Sequence, residues 1–449
     1  MPPHDLVPDF LERQLARLRD FLEGADRIGE ADPQTVSHTR AAVDNALAHA
    51  PLPPPGDHYS RSPVVSLVQS ALADRRAAGD APADEEEDDD GGPVEGIAGS
   101  ILARVLEGAH DFCDAPAAPA PLGPETRLIL ISDWGTGRED ADRVAEQTKR
   151  YLDVAPEVPT HVIHLGDTYY SGTRREAHRH ILRAWPVAVT EGGRIGSWAL
   201  NGNHDMYSGG HGLFEVTLGD PRFAQQRAGE RATSWFTMVT DRWNIVGLDT
   251  AWRHRLLEVR GDELFVEGDL GRLEGSQARV LDRCAAEDKR LLVLSHHQLF
   301  SAYDESHLRF GDDREATPLA EELGPILERR PVDAWFWGHE HDCLAYDDGF
   351  GGIGAARAIG HGAVPTEVRR NPVTPLGEPY PDFVVRPDTR DDDAAAMRAL
   401  RWEYRDVRPV DGDDRPLVRR GFAVLDIAGD DLTVTYVDET GSAWLTESL

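Results

Sequence analysis

The stretch His161-Val162-Ile163-His164-Leu165-Gly166-Asp167-Thr168-Tyr169-Tyr170 decides the fold. Its first half is a short apolar run of the kind buried in a sheet, and its second half turns on a glycine to present a carboxylate and a phenol. The same design recurs elsewhere. Leu128-Ile129-Leu130-Ile131 leads to Asp133-Trp134-Gly135, and Trp198-Ala199-Leu200 leads to Gly202-Asn203-His204-Asp205. Leu291-Leu292-Val293-Leu294 leads to Ser295-His296-His297, and Ala334-Trp335-Phe336-Trp337 leads to Gly338-His339-Glu340-His341. Residues 278–290 and 319–329 read as helices between such runs, so the pattern implies an α/β layered domain.

Each strand thus ends in a nitrogen or oxygen donor on a short glycine-bearing loop, which is what a rigid metal site needs. Asp133, Asp167, Tyr170, Asn203, His296, His339 and His341 are the candidate ligands. They suffice for two metal ions that share one carboxylate, and Asp167 is the candidate bridge. Tyr170 lies three residues beyond Asp167, a spacing that returns its side chain toward Asp167 in a turn. These hard and borderline donors suit iron, zinc or manganese. A phenolate favours a trivalent ion, chiefly Fe(III). Two adjacent metals can activate water and hold both oxygens of a phosphoryl transfer. His204 is expected to face the leaving group, Asp205 to orient His204, and His297 to take a lesser part. His161, His164 and Asp249 read as structural. Taken singly, an Asp after a strand is a turn or cap residue and a Tyr is a packing ring; the ordered set is what carries the signal.

The chain has 449 residues, enough for more than one folding unit, and a formal net charge of −33. Such a surface repels polyanions and argues against a basic nucleic-acid face or binding to an anionic membrane. It still admits a small phosphate ester, because bound metals supply local positive charge. Lysine occurs only at 149 and 289. Cys113, Cys284 and Cys343 are odd in number and lack CxxC spacing, poor support for a disulfide framework or a thiolate site. The start Met1-Pro2-Pro3-His4-Asp5 lacks an export signal, and no run is apolar enough to span a bilayer, so the expected compartment is the cytoplasm.

Residues 1–113 read as a helical N-terminal region, with apolar faces near 10–22, 64–72 and 97–106 and an acidic, solvated loop near 80–93. Residues 114–125 read as a Pro/Ala linker. Residues 126–449 form the remaining domain, with a polar insertion at 366–419 and a closing hairpin at 421–437. The N-terminal helices could serve self-association or a protein partner.

The order Asp-x-Gly, Gly-Asp-x-x-Tyr, Gly-Asn-His-Asp, Val-x-x-His and Gly-His-x-His resembles the calcineurin-like metallophosphoesterase superfamily, and within it the purple acid phosphatases. The resemblance covers residues 126–365. It implies a four-layer αββα sandwich. It also implies that Asp133, Tyr170 and His341 hold Fe(III), that Asn203, His296 and His339 hold Fe(II), Zn(II) or Mn(II), and that Asp167 bridges. Most of the superfamily has histidine where Gly135 stands; Tyr170 is the expected replacement. The implied activity is hydrolysis of a small phosphomonoester. A phosphodiesterase acting on small or cyclic nucleotides and a non-catalytic metal-binding scaffold are the alternatives.

Overall fold

The structure is a computed structural model. It describes residues 118–449 apart from 155–156, 193, 255–257, 261–262, 266–270, 304–317, 369–371, 389–394 and 411–412. It also describes residues 107–115 and, further upstream, 59, 66–71, 73 and 74.

Two large sheets face each other. In the six-stranded sheet, the strands Glu125–Ile131, Thr160–His164 and Ile195–Ala199 run parallel. The antiparallel strands Gly421–Ala428, Asp431–Asp438 and Ala443–Ser448 complete it. In the ten-stranded sheet, Trp243–Leu248, Arg290–Ser295, Val332–Trp337 and Ile353–Ile359 form the parallel centre.

Strand alternation explains why the apolar runs are continuous. Leu128 and Leu130 join Leu292 and Leu294 in the core between the sheets. Their neighbours Ile129 and Ile131 pack outward with Ala141 and Val144 of the helix Glu139–Asp153. On the other sheet, Leu291 and Val293 pack outward against the helices Gln277–Ala286 and Pro318–Arg329. Both faces of the parallel strands are therefore buried, and the architecture is the four-layer α/β sandwich.

Three expectations need correction or restriction. The stretch read as a linker is seated on the domain. Ala120–Pro121 pairs with Phe236–Val239 at the edge of the ten-stranded sheet, and the Cys113 carbonyl accepts from Trp235 Nε1. The stretch 366–419 is not irregular, because Val373–Pro375, Val384–Pro387 and Leu400–Tyr404 extend the same sheet. Leu400-Arg401-Trp402-Glu403-Tyr404 alternates at period two, with Trp402 and Tyr404 in the core and the Glu403 carboxylate held by Arg405. Of the N-terminal helical faces, only residues near 64–72 fall in the described part, where 66–71 are helical. The faces near 10–22 and 97–106 and the acidic run lie outside the described residues. All three cysteines are buried and unpaired with one another.

Candidate metal centre

Parallel strands deliver their C-terminal ends to one edge, and the two sheets bring two such edges together. Asp133, Asp167 and Asn203 come from the six-stranded sheet, and His296, His339 and His341 from the ten-stranded one. Their polar atoms form two adjoining groups. In the first, Asp133 Oδ1 lies 3.4 Å from His341 Nε2. In the second, Asn203 Oδ1 lies 2.9 Å from both His296 Nε2 and His339 Nδ1. Asp167 belongs to both: Oδ2 faces the first group through a tyrosine hydroxyl at 2.9 Å, and Oδ1 lies 3.4 Å from His296 Nε2. Its two oxygens are thus divided between the two groups.

The loops that carry these groups are tightly constrained. Asp133, Asp167, His339 and His341 have φ of 53°, 76°, 66° and 57°, and they are the non-glycine residues with positive φ among the described residues. Left-handed backbone costs side-chain-bearing residues on the order of 1 kcal/mol or more each, and here it falls on candidate ligands alone. Two glycines make room. A Cβ on Gly202 would come within 2.2 Å of Asp167 Oδ1, and one on Gly338 within 1.8 Å of Ser132 Oγ.

The tyrosine in the first group is Tyr169, and this corrects the assignment of Tyr170. Tyr169 Oη lies 3.0 Å from Asp133 Oδ1, 2.9 Å from Asp167 Oδ2 and 2.9 Å from His341 Nε2. Tyr170 points elsewhere, its ring stacked on Tyr59. The cause is local pairing. Thr168 bridges Gly135 in parallel, and the Tyr169 amide donates to the Gly135 carbonyl at 2.8 Å. This pairing, with Asp167 at positive φ, seats the Tyr169 backbone beside Gly135 and its hydroxyl among the donors, whereas the sequence reading assumed a three-residue return to Tyr170. Gly135 sits in a tight place: a Cβ there would meet the movable Ile181 Cδ1 at 2.6 Å and the Asp167 carbonyl and Thr168 Cα at 3.1 Å.

The residues expected to act beside the ligands are placed as follows. His204 is buried, with Nδ1 2.6 Å from the Tyr170 carbonyl and its ring against Tyr169 and Tyr207. Asp205 does not orient His204. Its Oδ2 accepts from the amides of Asp167 and Gly202, so it pins the Asp167 loop instead. The His297 ring packs against His296 and His339, and its Nδ1 lies 3.0 Å from Thr250 Oγ1. Sequence reasoning passed over Tyr169, Ser132, Tyr207 and His254. Ser132 Oγ donates to Asp133 Oδ2, and the buried His254 ring lies 5.9 Å from His297. The adjacency of Tyr169 to the Asp167 motif was the one available signal. Asp249 is structural as expected, accepting from the amides of Ala251 and Trp252.

The donors fit metal ions on three counts. First, neighbouring donor atoms stand 2.9–3.4 Å apart, the spacing expected around an ion that holds each at about 2.0–2.2 Å. Second, the lone pairs point inward. His296 Nδ1 bonds the Leu165 carbonyl at 3.0 Å, which leaves Nε2 as the acceptor, and Asn203 Nδ2 donates to Tyr207 Oη at 2.8 Å, which turns Oδ1 to the histidines. Third, the charge is uncompensated. Burial, then the nearby carboxylates of Asp133 and Asp205, push Asp167 well above the ordinary carboxylate range. Burial opposes ionisation of Asp133 too, but its bond to His341 and the His296 and His341 charges hold it below that range. Burial, with the His341 and His254 charges adding to it, pulls His296 down to about 4, and burial pushes Asp205 up to about 6. Buried carboxylates among imidazole nitrogens are a donor set that a cation suits.

Residues 126–343 match the model of the calcineurin-like phosphoesterase family. No curated protein sequence matches this chain. Solved structures of similar fold include GAP50, the anchor in the inner membrane complex of Plasmodium. It is 12% identical, with 72% of this chain and 88% of that chain covered and a TM-score of 0.45. PhoD is 9% identical, with 72% of this chain and 67% of that chain covered and a TM-score of 0.40. At those TM-scores neither carries an argument about activity. Among the described residues no helix is long and apolar enough to cross a membrane. The seven donors, Asp133 to His341, all lie within residues 126–343, the span that matches the calcineurin-like phosphoesterase family.

Proposed function

We propose that this protein hydrolyses small phosphomonoesters at a pair of metal ions. The observation that carries the reading is the division of the two Asp167 oxygens between the donor groups. Asp133, Tyr169 and His341 would hold one ion, and Asn203, His296 and His339 the other. Two bound ions supply a water-derived nucleophile and positive charge for both oxygens of an in-line displacement. His204, tied through Nδ1 to the Tyr170 carbonyl, presents Nε2 to a phosphate or leaving oxygen. Asp205 keeps the Asp167 loop in place. A phenol beside Asp133, with glycine at 135 in place of a histidine, supports the purple acid phosphatase likeness and Fe(III) at that site, partnered by Fe(II), Zn(II) or Mn(II).

The test is hydrolysis of a generic phosphomonoester and its matching diester, with protein loaded separately with iron, manganese and zinc and Asp167→Asn as the blank. Monoester turnover lost in the blank is the expected result. Diester turnover alone would make the protein a phosphodiesterase. No turnover of either ester with two bound ions would leave a metal-binding scaffold.

A further inference from the structure

The N-terminal part of the chain, which the sequence sets apart from the site, reaches it. The Tyr59 ring meets Tyr169 edge-on at 5.0 Å and stacks on Tyr170 at 5.2 Å. Tyr59, Tyr169 and Val364 are buried together, with Tyr170 packed against them. Tyr59 is therefore one ring away from the hydroxyl that lies among Asp133, Asp167 and His341.

A second, independent grip comes from the helical residues 66–71, whose Leu67, Val68 and Ala71 are buried. Ser70 Oγ donates to Glu176 Oε1 at 2.6 Å and lies 2.6 Å from Ser171 Oγ. That same Glu176 carboxylate accepts from the amides of Tyr170, Ser171 and Thr173 at 2.6, 3.2 and 3.0 Å. It is the clasp of the turn that follows Tyr169. Asp74 adds an ion pair to Arg175 at 3.5 Å. On the other side of the turn, the Tyr169 carbonyl bonds His180 Nδ1 at 2.8 Å. Removing the upstream residues would leave the clasp with one hydroxyl fewer and the phenol with one face open.

We infer that Tyr59 is a positioning residue of the metal centre: it fixes the ring of Tyr169, while Ser70 fixes the turn behind it. The role in holding metal rests on the function proposed above; the grip on the turn does not. An aromatic edge contact and a buried hydroxyl–carboxylate bond restrict the ring without touching the metal, which is how groups outside the ligand set tune affinity.

The experiment uses the full-length protein and the variants Tyr59→Ala, Tyr59→Phe and Ser70→Ala. Chelator-driven release of Mn(II) is followed in time, and amide hydrogen exchange is measured on the metal-free forms. The expected result is selective. Tyr59→Ala releases one of two ions at least about tenfold faster, and Tyr59→Phe, which keeps the ring, restores the wild-type rate. The amides of Tyr170, Ser171 and Thr173 exchange faster in Tyr59→Ala and Ser70→Ala. Wild-type release of both ions together with unchanged amide protection would overturn the inference. Equal acceleration of both ions with a lowered unfolding midpoint would also overturn it, since that is general destabilisation. If the wild-type protein holds no ions, the proposed function fails, and amide exchange alone decides the inference. If Tyr59→Ala does not fold, Ser70→Ala decides it by the same readings.

Discussion

Among the described residues, two clusters bring carboxylates and imidazoles within metal-binding reach, and they differ in what balances their charge. Asp133, Asp167 and His341 are gathered at the sheet edges; Glu107, His211 and Glu215 are gathered at the surface. In the surface cluster Arg174 already serves as the cation. It donates to Glu107 at 2.6 and 3.2 Å and to Glu215 at 2.7 Å, and its bond to Glu215 pulls that carboxyl down to about 2. In the buried cluster, no arginine or lysine among the described residues bonds Asp133 or Asp167. Proximity of donors is therefore a poor guide alone. Burial without an arginine or lysine partner, on backbone held at positive φ, separates a donor set suited to metal from an ion-pair network.

The most severe way to break this comparison is to remove the bridge. Asp167→Asn should lower turnover by about a thousandfold and cost one bound ion, measured by steady-state rates and metal content, whereas Glu215→Gln should change neither. Equal loss in both variants would make the two clusters equivalent. The neighbouring tyrosines sharpen the comparison further. Tyr169→Phe should weaken one ion by about 10- to 100-fold and abolish any phenolate absorption of Fe(III)-loaded protein, while Tyr170→Phe should keep both. The reverse pattern would restore the turn-like reading of the motif.

An imidazole outside both clusters tests whether burial alone sets these charges. Burial pulls His161 down to about 4 from an ordinary 6.5, and its Nδ1 accepts from Trp198 Nε1, which the protonated ring could not do. Between those values the unfolded chain binds the extra proton. The contribution is therefore complete above about 6.5, is lost as pH falls toward about 4, and changes no further below that. His161→Gln should remove about 3 kcal/mol of the acid dependence of metal-free unfolding. The smallest effect belongs to Arg174→Ala. Its partners are partly exposed, so chemical denaturation should show a loss of about 1 kcal/mol or less with turnover unchanged.

Much of the site was legible because each motif is local. A buried strand followed by glycine and a donor reads in one window of ten residues, and Asp133, Asp167, Asn203, His296, His339 and His341 all stand where such windows end. The strands of 366–419 were less legible, because Arg401 and Glu403 obscured Trp402 and Tyr404, which share the core face. Asp205 was misread because a side chain's acceptor choice depends on amides from another strand, here that of Asp167.

The sequence by itself determined the layered α/β class, the strand-end position of the donors and the chemistry those donor types suit. Periodicity and side-chain type are properties of the chain alone. Only the tertiary structure decided which of two adjacent tyrosines faces the donors, because that choice is made by pairing between Thr168 and Gly135, distant in sequence. It also decided that Tyr59 and Ser70 belong to the surroundings of the site. Their contacts cross about a hundred residues, a separation at which no local pattern links the partners, and packing alone selects them.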